Sequence, residues 1–373
     1  MIQEADGRWT DSNVVVSSGA RNATPLSAVA YIVNEVATWH IFYIDQDSYV
    51  RQRTSSNGSA YQTNIWQDGP LNDLNLKAND AEMIGLQACY WGNFYGDTDF
   101  TGSGGFDTFT PGFNGTPSNV TKNPTGMHLW YADTDTSFQQ YSWFTGLPQW
   151  INDNETWHNM NGHAGVGCQT WESGTSKFDT RLLASRASRC LTATIAQYVF
   201  FVDVDNTVEI WWKDSNSSNE TPNHPTNLWV NSKSKPRTQH FLFFIRSPTY
   251  PQLAHLPSTA TVSIPGVHPS SSLGYTNYLC LQYGDDTIQG YNISWAAENT
   301  TIAPAKDGLG GYDNWTIPNP GLPGTHMSIT ALADQSGGSH LTIFFQQNGT
   351  DIVQYDRDDT GGAFTYTEMP VNQ

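Results

Sequence analysis

A plan of seventeen residues, written five times, constrains this chain more than any other feature. It stands at 38–54 (TWHIFYIDQDSYVRQRT) and returns at 126–142, 196–212, 276–292 and 340–356. In each copy a five-residue run rich in aromatic and β-branched residues leads into a polar turn, and a second run places an apolar residue at one position: Val50, Phe138, Val208, Ile288, Ile352. That pattern is a β-hairpin. The turn carries Asp47, Asp135, Asp205 or Asp285, with Gly349 in the last copy, the residue types that a tight reversal selects. A hairpin that cannot cover its own apolar faces must stack on neighbours, so a propeller or solenoid is expected.

Each hairpin belongs to a unit of four strands: a small-residue inner strand such as 26–31 (LSAVAY), the two hairpin arms, and an outer strand opened by Trp66, Trp150, Trp229, Trp315 or, in the last unit, Phe364. The units are expected at 26–75, 82–157, 190–234, 238–318 and 326–371, in one domain spanning 1–373. Residues 1–16 read as the second half of a further unit, with Ile2–Ala5 as its third strand and Trp9-Thr10 opening its fourth. The expected class is therefore all-β: a propeller with six blades, of which one is a half, or one with five blades and an appended hairpin. The inner strands of the second, third and fourth units are assigned to 83–91, 191–195 and 240–246, the second unit closes at Trp150 or Trp157, and 92–125, 158–189 and 247–275 are assigned as loop insertions.

Composition agrees with many short strands and turns. Charged residues are 14% and aromatics 13%, with 32 Gly and 19 Pro. The net charge of −18 repels a phosphate backbone, which argues against nucleic acid as a partner, and no stretch approaches the length of a membrane span. Eleven Asn-x-Ser/Thr triplets, at Asn22, Asn57, Asn114, Asn119, Asn154, Asn216, Asn219, Asn292, Asn299, Asn314 and Asn348, favour a glycosylated protein of the secretory pathway or cell surface, whose targeting segment is absent from this chain. Among the four cysteines, Cys168 and Cys190 flank one polar insertion and are the expected disulfide, while Cys89 and Cys280 sit in strand patterns as buried thiols.

Ile-x-Glu-Ala at 2–5, Trp-Thr at 9–10 and Pro-Leu-x-Ala-Val at 25–29 give the chain a resemblance to the fungal fucose-specific lectin family over nearly its whole length. The resemblance implies a six-bladed propeller that binds fucose or a related glycan unit between blades. It implies a site made of an Arg on the second strand, a Glu twelve residues later on the third, and the Trp that begins the fourth. The twelve-residue spacing is kept here, but the pairs are His40 with Gln52, His128 with Gln140, Tyr198 with Ile210, Tyr278 with Gly290, and Thr342 with Gln354. Only Glu4, followed by Trp9, keeps the acid. The candidate sugar-binding residues are therefore Glu4 and Trp9, His40, Gln52 and Trp66, and His128, Gln140 and Trp150, with the third and fourth sites lost because Ile210 and Gly290 cannot hold hydroxyls. The bland reading of the same polar pairs is contact between blades.

Catalysis finds no foothold in the residues. A glycosidase needs paired carboxylates in one pocket, and Asp45, Asp47, Asp133, Asp135, Asp203 and Asp205 are accounted for by hairpin turns. Histidines lack metal-ligand spacing, and His158 and His163 near Asp153 read as a surface loop, so no metal, cofactor or catalytic residue is assigned. Two functions remain open: a lectin-type propeller that binds glycans without chemistry, or a propeller enzyme or protein-interaction scaffold working through its insertions.

Overall fold

The computed structural model describes residues 2–3, 9–10, 14–33, 36–56, 66–91, 126–144, 148–173, 194–214, 230–231, 263–275, 278–294, 301–302, 315–333, 339–358 and 361–369. Apart from a single 3-10 turn at Pro70–Leu74, the regular elements of these residues are strands. The chain is a β-propeller of five antiparallel blades with an additional pair of strands.

The pair comes first, β1 (Ile2–Gln3) against β2 (Trp9–Thr10), as the sequence predicts for the closing half of a unit. The first blade is β3 (Ser27–Val33), β4 (Val36–Ile44), β5 (Val50–Ser56) and β6 (Gln67–Asp68). The second is β7 (Leu86–Trp91), β8 (Gly126–Thr134), β9 (Ser137–Phe144) and β10 (Ile151–His158). The third runs β11 (Gly167–Ser173), β12 (Thr194–Val202) and β13 (Thr207–Asp214), and its outer edge is shared by β14 (Val230–Asn231) and β15 (Ser263–Pro265). The fourth has β16 (Leu273–Tyr275), β17 (Tyr278–Gln282) and β18 (Ile288–Ser294), edged by β19 (Thr301–Ile302) and β20 (Trp315–Thr316). The fifth is β21 (Ser328–Ala333), β22 (Ser339–Phe345), β23 (Val353–Asp358) and β24 (Gly361–Glu368). Inner strands touch in the order β3, β7, β11, β16, β21.

This arrangement explains why the first hairpin arm does not alternate. A blade is covered by a neighbour on each face, so both sides of its second strand meet apolar surface. Residues 127–132 and 198–202 are accordingly buried without a break. The turns follow the sequence reading closely. Asp45 Oδ1 accepts the backbone N–H groups of Asp47 and Tyr49 at 3.0 and 2.8 Å, and Asp203 Oδ1 those of Asp205 and Thr207 at 3.0 and 2.8 Å. The residue that completes the reversal, Ser48, Asn206 or Asp286, takes the left-handed conformation (φ 61°, 57° and 67°).

Three sequence assignments are corrected. The third inner strand is 167–173, inside the stretch assigned as an insertion, and Thr194-Ile195 instead begin the second strand. The fourth inner strand is 273–275, whereas 240–246 lies outside the described residues, as does all of 92–125. Leu273–Tyr275 is short and carries no apolar run because the axis is crowded: a Cβ on Gly274 would stand 2.9 Å from Ile329 Cγ2 of the adjoining inner strand. The third correction is the disulfide. Cys168 is bonded to Cys89, with Cα atoms 6.1 Å apart, because β7 and β11 are neighbours around the axis once 167–173 is recognised as a strand. Cys190 lies outside the described residues, and Cys280 is a buried free thiol whose pKa desolvation raises strongly.

Candidate functional site

The grouping of side chains follows from which face of a blade each strand position presents. In the first blade Phe42 pairs with Gln52 and His40 with Thr54, so His40, Phe42 and Gln52 leave the sheet on one face, toward the second blade. Gln52 Nε2 donates to His40 Nδ1 at 2.8 Å, which makes the sequence-predicted pair a real contact. Both residues are nearly sealed, at 1% and 5% exposure. Burial holds His40 neutral, with a pKa lowered to about 4.

The tryptophan that completes this group is not Trp66. Gln67 pairs with Thr54, so Trp66 falls opposite Ser55 and faces away from Gln52, and its carbonyl accepts from Arg53 Nη2 at 2.7 Å. The indole at the seam is Trp150 of the next blade, which donates Nε1 to Gln52 Oε1 at 3.2 Å and meets Phe42 edge-on at 5.7 Å. Trp143, also from the second blade, lies 6.0 Å from the His40 ring. Gln52 Oε1 accepts the Leu71 N–H at 3.1 Å as well, so the Gln52 amide is engaged at both ends within the protein. This seam is closed by its own residues.

His128 and Gln140 occupy the same positions one blade on, but their described bonds run to different partners. His128 Nδ1 donates to Gln197 Oε1 of the third blade. Gln140 Oε1 accepts from Trp130 Nε1 at 3.1 Å, and its Nε2 donates to Asp153 Oδ2 at 2.8 Å. Ser142 Oγ donates to the same carboxylate oxygen at 2.5 Å. Asn152 pairs with Tyr141, so Asp153 falls on the Gln140 face by strand alternation, and a bulge with Asn154 at φ 56° follows before Thr156. A half-buried acid thus stands in the seam between the second and third blades. Across that seam Trp211 of the third blade is half-buried, meets Trp157 edge-on at 5.0 Å and donates Nε1 to Glu209 at 3.3 Å. Sequence reasoning passes over Gln197 and Trp211 and reads Asp153, with His158 and His163, as a surface loop, whereas Asp153 and His158 stand in β10. Strand alternation from Ile151 is the signal that places Asp153 on the Gln140 face.

The remaining seams differ in chemistry. Tyr198, Phe200 and Ile210 pack on Leu273, Leu279 and Leu281 in an apolar cluster between the third and fourth blades. In the fourth blade Gly290 is opposite Trp315, and a Cβ at 290 would lie 2.1 Å from the indole, so the ring occupies the space a side chain would need. Thr342 donates Oγ1 to Asp356 at 2.6 Å and Gln354 donates Nε2 to the same carboxylate at 2.7 Å. Glu4 and the side chain of Trp9 lie outside the described residues. Among the described residues no group of three or more His, Cys, Asp and Glu could hold a metal ion, and no helix is long and apolar enough to cross a membrane.

No protein-family model matches the chain, and no curated protein is similar to it. Solved structures do match in fold. A mutant of the Aleuria aurantia lectin in complex with Fucalpha1-6GlcNAc is similar with a TM-score of 0.52 at 13% identity, covering 94% of this chain and 81% of that one. SapL1 lectin in complex with alpha methyl fucoside gives 0.51 at 12% identity, with 95% and 83% covered. AofleA from Arthrobotrys oligospora gives 0.51 at 11% identity, with 95% and 74% covered. A further structure of the Aleuria aurantia lectin, described as a six-bladed beta-propeller with a novel fucose recognition mode, gives 0.50 at 9% identity.

Proposed function

We propose that this protein is a glycan-binding propeller that acts without chemistry, and that its sugar contact is the seam between the second and third blades. The observation that carries this reading is Asp153: a half-buried carboxylate, set on the seam face of β10 just before a bulge and braced by Gln140 and Ser142. A carboxylate accepts from several donors at once, Gln140 and Ser142 being two of them here, and the Trp211 ring offers the apolar wall against which a sugar face packs. Solved structures of the same fold with fucosides bound make a fucose-type sugar the first ligand to test.

The other seams have lost the family's clamp in this reading. Gln52 is capped by Trp150, the third seam is apolar, and Trp315 fills the place beside Gly290. A secreted or cell-surface setting fits a disulfide between buried inner strands and triplet asparagines, Asn22, Asn154 and Asn348, that stand exposed. Titration with methyl α-L-fucoside and a glycan array test the proposal together. Binding that Asp153→Asn and Trp211→Ala each abolish is expected, and a flat array from folded protein rejects it.

A further inference from the structure

The seam between the fourth and fifth blades holds a cation whose bonding is incomplete. Arg357 on β23 is 8% exposed, and its guanidinium lies 5.9 Å from the Trp315 ring and 5.3 Å from the Phe364 ring, which themselves meet at 5.2 Å. Its described hydrogen bond is one, from Nε to the Asp358 carbonyl at 3.2 Å, and among the described residues it forms no ion pair. The two terminal nitrogens therefore have four N–H groups to place. They are not among the occluded polar atoms, so the small exposed part of the residue leaves a way in.

Neighbouring aromatic rings stabilise a guanidinium but give its N–H donors nothing to bond. A buried charge left in that state is costly unless an anion completes it, and a carboxylate matches the planar fork with two parallel bonds. The place beside Gly290 is filled by Trp315, and among the described residues no acid pairs with Arg357.

We propose that the seam between the fourth and fifth blades binds a carboxylate-bearing saccharide, held by Arg357 beside Trp315 and Phe364. This rests on the glycan-binding reading for the sugar part, and on Arg357 alone for the carboxylate. The site differs from that of Asp153 in blade, wall and charge, so the two separate in experiment.

Calorimetric titration of the whole chain with methyl β-D-glucuronide, methyl β-D-glucoside and acetate is the test. The expected result is at least about tenfold tighter binding of the glucuronide than of either comparator, weakening with salt. Arg357→Met should abolish it, Arg357→Lys should weaken it by about tenfold through loss of the fork, and Asp153→Asn should leave it unchanged. Equal binding of glucuronide and glucoside, equal binding of acetate, no binding, or full retention in Arg357→Lys overturns the proposal. Loss of fucoside binding with the glucuronide preference intact would overturn only the Asp153 site.

Discussion

Trp150 of the second blade donates its indole N–H to Gln52 Oε1 of the first at 3.2 Å, and this bond closes a seam that sequence alone reads as a pocket. Gln52 also accepts from Leu71 and donates to His40, so three groups depend on one buried amide. Gln52→Ala should lower unfolding stability by roughly 2–4 kcal/mol, since each group left without a partner is costly when buried. Trp150→Phe, which keeps the packing on Phe42, should cost about 1 kcal/mol. Urea unfolding followed by tryptophan fluorescence separates the two; equal small losses would show that the seam is wet.

His40 makes stability depend on acid. Its folded pKa, about 4, lies below the ordinary value of 6.5 because burial disfavours the imidazolium. The unfolded chain thus binds the proton first. The contribution is fully present above pH 6.5, falls as pH drops from 6.5 to 4, and is lost below that. The fall is on the order of 3 kcal/mol. Denaturation midpoints across this range should fall more steeply in the native protein than in His40→Gln.

Gln52→Glu opposes that shift. A carboxylate beside His40 Nδ1 favours the imidazolium, so the His40 pKa should rise by one unit or more, about 1.4 kcal/mol or above. Histidine proton NMR reads it directly. An unchanged titration would show that the side chains part once charged.

Gly290 tests whether Trp315 fills its seam. Ala at 290 would collide with the indole at 2.1 Å, and Gly290→Ala should destabilise by roughly 1–3 kcal/mol. In Trp315→Ala the same substitution should cost much less. Comparing the two melting temperatures gives the coupling, and additive losses would refute it.

The disulfide joins residues 79 apart and its sulfurs belong to buried residues. Cys89→Ala with Cys168→Ala should lower stability by roughly 2–4 kcal/mol. Thiol quantitation should find a reductant inert toward the native protein and effective only after denaturant is added.

The hairpins were legible because each is a local object: apolar arms and a turn acid lie within seventeen residues. The inner strands were less so. Leu273–Tyr275 carries Gly274 where the axis leaves no room, and Gly167–Ser173 hides in a polar stretch, which is also why Cys168 was assigned the wrong partner. At the candidate site the spacing of His40 and Gln52 reads as a sugar clamp or a contact between blades, whereas the two bond to each other within one blade. That spacing could not announce that Trp150 reaches back to the preceding blade, nor that Asp153 faces the next one, because both depend on which face each strand turns to a neighbour.

The indole lodged over Gly290 has a historical consequence. Any single change at 290 meets an obstacle, and removing Trp315 alone leaves a hollow where the ring stood. A hydroxyl-gripping residue there requires two alterations, each harmful by itself. The fourth seam is thereby held against change one step at a time, and descendants of this protein are freer to vary its other seams.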